Sequence, residues 1–361
     1  MLVQLIKKTM DRILLLVDWA KKTPFFLENG FAERDIDYKV FDIPDYTMKD
    51  RIEKFGVINL YYKYTKLAFR AVQASTASDI IICWNFTTSI ATGIACKILR
   101  KKRRILGLNI IAPGRTGILN SFRNNLFRLV MRSPDFYITI NSNSYISEYS
   151  KRFKLPETKF HVLHDSIHPT NFPDKSDYEG DYIFCGGEAK RDWETLFKAC
   201  RLTPDINYIC IARKKFFSHE LEIPSNVQMF FDLDEKQFND YMRRSAIVAL
   251  PLNSAVPAGL IVLLNAALLK KPVIVTRTSS TENYITDNET GMLSTMFDHK
   301  ELASKITALH TNRLKRQALG TALHDVVLDK YSTEKYTCRL IDILHEIDWL
   351  PDIHKNLKKI K

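Results

Sequence analysis

The sequence predicts an α/β protein of two doubly wound halves, each a parallel sheet wrapped by helices, with further helices at the C-terminal end. Three observations predict it. Apolar runs of strand length alternate with longer stretches of helical spacing, the pattern of repeated parallel α/β units. The series runs twice, interrupted by a polar, proline-containing stretch at 165–181 that reads as a linker between domains. The length of 361 residues agrees with two domains at roughly 150 residues each.

In the first half, strands are expected at 12–18, 38–43, 79–84, 105–111, 136–139 and 160–163, short apolar runs of the kind that parallel strands buried on both faces require. Helical spacing predicts helices at 57–74, 89–99 and 118–131. The run 13–17 is bracketed by Asp11 and Asp18 with no small-residue cleavage site after it, so it reads as the first strand rather than a secretory leader. The second series has strands at 182–185, 207–212, 227–230, 247–250 and 272–276, and helices at 193–200, 235–243, 259–269, 300–310 and 314–330. A last helix is expected at 333–347. The expected division is 1–170 as a basic first domain, 171–331 as the second, and 332–361 as a helix and basic tail that packs back on the first.

Composition narrows the function classes. A chain that is 45% hydrophobic and 26% charged is neither disordered nor fibrous. Its longest apolar run, 259–269, contains Asn265 and stops at Lys270 and Lys271, short of the ~18–20 residues of a membrane span. A cytoplasmic protein is therefore expected. Six scattered cysteines without a CxxC pair support neither a zinc site nor a disulfide framework.

The net charge of +12 is one-sided: residues 1–170 hold 27 Lys and Arg against 15 Asp and Glu, whereas 171–361 hold 26 of each. Segment 54–159 has 18 basic and 4 acidic residues, including the run Arg100, Lys101, Lys102, Arg103, Arg104. Such a surplus implies an anionic partner. SFRNNLFRLVMR places Phe122, Leu126, Leu129 and Val130 beside Arg123, Arg128 and Arg132, and LYYKYTKLAFRAV mixes Tyr61, Tyr62, Tyr64 and Phe69 with Lys63, Lys66 and Arg70. Helices of this kind suit docking on an anionic membrane surface; the same faces equally suit packing on the sheet.

In open α/β sheets ligands bind beyond the carboxyl ends of the strands, where helix N-termini attract phosphate. Three segments of the second half supply such places. In YIFCGGEAKRDWETLFKA a strand ends at Gly186 and Gly187, which allow close backbone approach, and Lys190 and Arg191 follow, either as cations for a diphosphate or as solvated residues of a tight turn. Arg213, at the end of the next strand, is a further cation for the base or phosphate. In IVALPLNSAVPAGLIVLLNAALLKKPVIVT the amides of Ala258, Gly259 and Leu260 open a helix toward a ligand, and Asn265 lies within its apolar body, where an amide needs partners. TRTSSTENYITDNETGMLS is the third, a polar loop, short helix and turn before a last small strand. The triplet Asp232, Leu233, Asp234 has the spacing of a metal-binding DxD but directly precedes a helix from Glu235, where carboxylates cap free N–H groups; no metal site is expected.

The order of these segments resembles the C-terminal half of retaining nucleotide-sugar glycosyltransferases with the GT-B fold, family four (glycosyl transferases group 1) in particular. KKPVIVT and DNETGML are similar to that family's strand and turn around the donor site. GGEAKRDW resembles its glycine-arginine-lysine loop, with Arg191 where the diphosphate-binding lysine is usual and Gly187 where an arginine is usual. The resemblance covers 182–347; the first half shares element order and RSPDFYITINSNSYISEYSKRF. It implies two Rossmann-like domains facing a central cleft, the first binding acceptor and the second donor.

Two departures stand out. The family's two glutamates separated by seven residues map onto Pro257 and Asn265, and the histidine often found near the reacting sugar is replaced around Trp84, Asn85 and Phe86. The resemblance implies transfer of a sugar from a UDP-sugar or GDP-sugar, with retained configuration and no required cofactor or metal. The acceptor would be a saccharide or lipid-linked saccharide, in surface-polysaccharide or lipopolysaccharide assembly on the inner face of the cytoplasmic membrane. Lys190 and Arg191 would stabilise the diphosphate leaving group, Gly186, Gly187 and Gly259 would permit backbone contact, and Asn265 would bind ribose. Two alternatives are a GT-B-fold binding protein without catalysis, motivated by Pro257 and Asn265, and a basic nucleic-acid-binding protein, which no recognisable nucleic-acid module supports.

Overall fold

A computed structural model of the chain describes residues 12–47, 56–111, 117–168, 180–188, 190–218 and 220–350. The chain divides into two compact units, Met1–His164 with Tyr336–Lys361, and Asp165–Lys335. Most of the expected linker (169–179) and the basic tail (351–361) lie outside the described residues. The division falls at 164/165 because the residues after it are already tied to the second unit: the Asp165 amide donates to Tyr284 Oη (2.9 Å) and the Ile167 amide to the Tyr331 carbonyl (2.9 Å).

The first unit runs β1 (Ile13–Leu16), α1 (Phe26–Ala32), β2 (Tyr38–Phe41), α2 (Gly56–Ala74), β3 (Ile80–Cys83), α3 (Phe86–Ile98), β4 (Arg104–Gly107), α4 (Ile118–Met131), β5 (Phe136–Ile140), α5 (Ser144–Phe153) and β6 (Phe160–Val162). Its six parallel strands lie in the order β2-β1-β3-β4-β5-β6. Every residue of β1 and β3 is fully buried, and their side chains alternate between two cores as the period of a strand dictates. Leu14, Leu16, Ile81 and Cys83 pack with α2, α3 and α4, whereas Ile13, Leu15, Ile80 and Ile82 pack with Leu27 and Phe31 of α1.

Helix α1 is absent from the sequence expectation because its seven residues are too few to establish a period. Its start is fixed by Glu28, whose carboxylate accepts from the Phe25 amide (3.2 Å) and pairs with Lys21 Nζ (2.5 Å) while almost fully buried. A last helix, Thr333–Glu346, supplies Tyr336, Leu340, Ile343 and Leu344 to the same core.

The second unit runs β7 (Tyr182–Gly186), α6 (Trp193–Arg201), β8 (Asn207–Ala212), β9 (Val227–Phe231), α7 (Glu235–Arg244), β10 (Ile247–Leu250), α8 (Leu260–Leu268), β11 (Val273–Thr276), β12 (Met292–Ser294), α9 (His299–His310) and α10 (Arg313–Lys330). The six parallel strands are ordered β12-β11-β10-β7-β8-β9. The chain builds outward from β7 through β8 to β9, then returns to add β10 on the other side of β7. The helices that follow β7 and β10 therefore pack on opposite faces of the sheet, and the carboxyl ends of these two strands are the switch point outside which open α/β sheets have their ligand crevice.

Candidate functional site

That crevice collects the three polar loops singled out in the sequence. The loop after β7 is stitched to the loop after β10: the Asn253 amide donates to the Lys190 carbonyl (3.1 Å), the Asp192 amide donates to the Pro251 carbonyl (3.0 Å), and Arg191 bridges Leu252 in antiparallel fashion. The Leu252 amide in turn donates to Thr276 Oγ1 (2.8 Å) at the end of β11.

Arg191 is at the centre of this arrangement. Its side chain is buried, with Nε donating to the Gly186 carbonyl at 2.7 Å. The guanidinium lies between two glycines with positive φ, one from each loop: a Cβ on Gly187 (φ +135°) would sit 2.5 Å from Nη2, and one on Gly259 (φ +76°) 3.1 Å from Nη1. Gly187 is thus needed for both backbone conformation and room, whereas Gly259 is needed for conformation, with a Cβ there only tight against the guanidinium. Burial pulls the Arg191 pKa below its ordinary value, yet a guanidinium stays protonated. The crevice floor carries a fixed, poorly hydrated positive charge.

Lys190 differs. It is exposed, sits in the left-handed region (φ +61°), and is fixed to the fold by its backbone carbonyl. Gly186 serves packing, since a Cβ there would lie 2.5 Å from the Phe238 ring of α7. Arg213 Nε donates to Glu188 Oε1 (2.8 Å) in an exposed ion pair. This pair joins the ends of β7 and β8; Glu188 is a member that sequence reasoning missed, because nothing local links residues 25 apart.

Gly259 is the N-cap of α8 and offers no side-chain cap, so the first-turn amides that follow lack intrahelical acceptors. Ala258 is half-buried, and the Leu260 side chain is buried in the core. Asn265 is half-buried, and its Oδ1 is a buried acceptor without a hydrogen-bond partner. On the opposite side of the crevice, Asp192 caps α6 by accepting from the Thr195 amide (3.1 Å). The DxD triplet is spent on backbone: Asp234 Oδ1 accepts from the Gln237 amide (2.8 Å) to cap α7, and Asp232 Oδ1 accepts from the Lys214 amide (3.3 Å). In the third loop Arg277 pairs with Glu282 (3.0 Å) and Asp287 (2.6 Å), which fixes the turn before β12.

In the first unit, Asn85 caps α3 by accepting from the Thr88 amide (2.9 Å). Trp84 packs edge-on against Trp19 (5.3 Å) and Phe25 (5.8 Å). These rings form an aromatic wall after the carboxyl ends of β1 and β3 that the sequence analysis did not single out, although Trp19, Phe25 and Phe26 cluster visibly behind the first strand. The basic amphipathic helices are divided: Tyr64 and Val130 enter the core and Leu126 and Phe69 pack against it, whereas Tyr61, Tyr62, Phe122 and Leu129 face solvent. Among the described residues, no helix is long and apolar enough to cross a membrane.

Residues 184–324 match the family model of glycosyl transferases group 1. Among solved structures, the chain is similar to HepE of Anabaena in complex with UDP, at a TM-score of 0.65 and 15% identity over 93% of this chain and 100% of that one. It is similar to a glycosyltransferase from Rickettsia africae at a TM-score of 0.64 and 16% identity, over 94% and 99% of the two chains. A third is the lipopolysaccharide outer core galactosyltransferase WaaB, at 0.61 and 12% over 93% and 99%. No curated protein matches the chain by sequence. The second unit thus carries the sequence pattern of glycosyl transferases group 1 from β7 into α10, and the chain as a whole has the GT-B fold of two doubly wound units.

Proposed function

We propose that the protein transfers a sugar from a nucleoside diphosphate sugar, a UDP-sugar or GDP-sugar, to a saccharide or lipid-linked saccharide, with retained anomeric configuration and without a metal ion. The observation that carries this reading is the Arg191 guanidinium seated between Gly187 and Gly259. A diphosphate leaving group gains negative charge as the glycosidic bond breaks, and a preformed cation in a poorly hydrated crevice stabilises that charge without reorganising. Lys190 adds a second, mobile cation from the rim, and the amides of Ala258, Gly259 and Leu260 add donors from the start of α8. Asn265 Oδ1 is an acceptor suited to a ribose hydroxyl, and Arg213 with Glu188 borders the place of the base. HepE has been crystallised with UDP-glucose, and WaaB is a lipopolysaccharide outer core galactosyltransferase, which supports the donor class and a cell-surface polysaccharide setting.

The test is release of nucleoside diphosphate from UDP- and GDP-sugars with saccharide and lipid-linked acceptors, in EDTA, with the product anomer read by NMR. Release that depends on acceptor and yields the donor's configuration supports the reading; an inverted product or release that requires added metal contradicts it. Pro257 and Asn265 favour a second reading, a protein that binds the donor without transferring sugar, and nucleotide binding with no release under any acceptor would select it.

Two substitutions separate the roles. Lys190→Ala is expected to leave thermal stability within about 0.5 kcal/mol, as for exposed side chains in general, and to weaken nucleoside diphosphate binding about tenfold, ~1.4 kcal/mol. Asn265→Leu replaces a lone buried acceptor by an apolar group of similar shape, so stability is expected to hold or rise while nucleotide affinity falls several-fold; unchanged affinity by calorimetry would remove Asn265 from the site.

The exposed Tyr61, Tyr62, Phe122 and Leu129, set among basic residues, support peripheral docking of the first unit on the anionic inner face of the cytoplasmic membrane.

A further inference from the structure

The basic run of the first unit lies away from the carboxyl ends of its strands. Helices α2, α3 and α4 end at Ala74, Ile98 and Met131, and β4 and β5 start at Arg104 and Phe136. At this amino-terminal edge of the sheet is a cavity of about 270 Å³ with Val130 and Phe136 in its wall and Lys97, Arg100, Lys101, Lys102 and Arg103 around it; no carboxylate lines it.

Two of the five cations are held in place by neutral acceptors. Arg103 donates from Nε to Ser75 Oγ (2.6 Å) and from Nη2 to the Ser75 carbonyl (2.7 Å), and Lys101 Nζ donates to the carbonyls of Gln73 (3.2 Å) and Val72 (3.4 Å). Among the described residues, none of the five is ion-paired. A bland account is that they neutralise the negative ends of the three helices. Each helix end is worth about half a charge, so three account for only about a third of five cations. Arg100 also closes α3 in the left-handed region (φ +53°), where glycine is the usual residue. A positive side chain therefore occupies a position at which it is conformationally unfavourable.

We propose that this cavity is a phosphate-binding site distinct from the crevice of the second unit. Its volume is several times that of a water molecule and admits a phosphate with part of its substituent. The positioned Arg103 and Lys101 would grip the oxygens and the mobile Lys97, Arg100 and Lys102 would close over them. The phosphate comes from a soluble phosphate ester or from a phospholipid headgroup; Ile98, which follows Lys97, and Leu129, which precedes Val130, are exposed and apolar, as contact with a lipid surface would require.

The full chain is tested in two arms, as parent, as Arg100→Glu/Lys102→Glu, and as Lys151→Glu/Lys154→Glu, which makes the same charge change at the C-terminal end of α5. In the first arm, inorganic phosphate is compared with chloride at matched ionic strength by thermal stability. In the second, co-sedimentation with phosphatidylcholine vesicles is compared with vesicles containing one-fifth phosphatidylglycerol. The Arg100/Lys102 variant is expected to lose the phosphate-specific shift, or about tenfold in anionic-vesicle binding, while the Lys151/Lys154 variant keeps both. Loss in the first arm assigns a soluble phosphate and loss confined to the second a lipid headgroup; no loss in either, or equal loss in both variants, overturns the proposal. A cooperative melting transition close to that of the parent shows that the Arg100/Lys102 variant is folded, and a phosphate shift that survives in Arg191→Ala separates this site from the donor site whatever the outcome of the transfer assay.

Discussion

Arg191→Ala is expected to abolish measurable nucleoside diphosphate binding and to lower the stability of the second unit by about 1–3 kcal/mol, the cost of leaving a buried partner without its hydrogen bond. The partner is the Gly186 carbonyl at the end of β7, which accepts from Arg191 Nε. For a unit of this size the loss corresponds to a fall in melting temperature of roughly 2–4 °C per kcal/mol. Arg191→Lys is expected to behave nearly as badly, because one ammonium cannot both hold the Gly186 carbonyl and present two nitrogens beneath Gly187 and Gly259. Lys190, one residue earlier and exposed, separates the two effects: its removal touches binding alone. Calorimetry and thermal melts on the three variants check the pattern; full nucleotide affinity in Arg191→Ala would dismiss the guanidinium from the donor site.

Gly320→Ala is expected to be the most destabilising of the small substitutions. Gly320 lies in α10 where that helix crosses the turn between α8 and β11, and a Cβ would come within 2.0 Å of the Lys270 carbonyl oxygen. That oxygen belongs to backbone and cannot swing aside, unlike the end of a side chain. Lys270 is itself in the left-handed region (φ +53°), so the turn has little freedom to retreat. Overpacking of this kind costs about 1–3 kcal/mol and occasionally more; a melting temperature within 1 °C of the parent, roughly a few tenths of a kcal/mol, would show that α10 does not bear on the turn as described. Because α8 starts at Gly259, a displaced turn is also expected to weaken nucleotide binding.

What the sequence made legible was whatever repeats or is local. Strands buried on both faces, such as Ile80–Cys83 and Ile247–Leu250, announce themselves as unbroken apolar runs. Amphipathic helices as long as Gly56–Ala74 do so by their spacing. The capping role of Asp234 is likewise visible three residues ahead of Gln237. Hidden were the arrangements made by residues far apart in the chain. Arg191 and Lys190 are adjacent cations in the sequence and look interchangeable, but the β10 loop and Gly259 enclose one of them and leave the other on the surface. Arg213 reads as an open cation until Glu188 is brought beside it. The amphipathic faces of α2 and α4 likewise read as one surface each, and only packing decides that Tyr64 and Val130 turn inward while Tyr61 and Leu129 stay out.

The central claim is that the crevice between the loops after β7 and β10 binds a nucleoside diphosphate through fixed cations. Its most direct test is thermal stabilisation of the full chain by UDP, GDP, ADP, TDP and CDP, each with and without EDTA, in the parent, Lys190→Ala and Arg191→Ala proteins. The account predicts a shift selective for UDP or GDP, insensitive to chelation, reduced in Lys190→Ala and absent in Arg191→Ala. No shift with any nucleotide, or one of equal size in all three proteins, would contradict it.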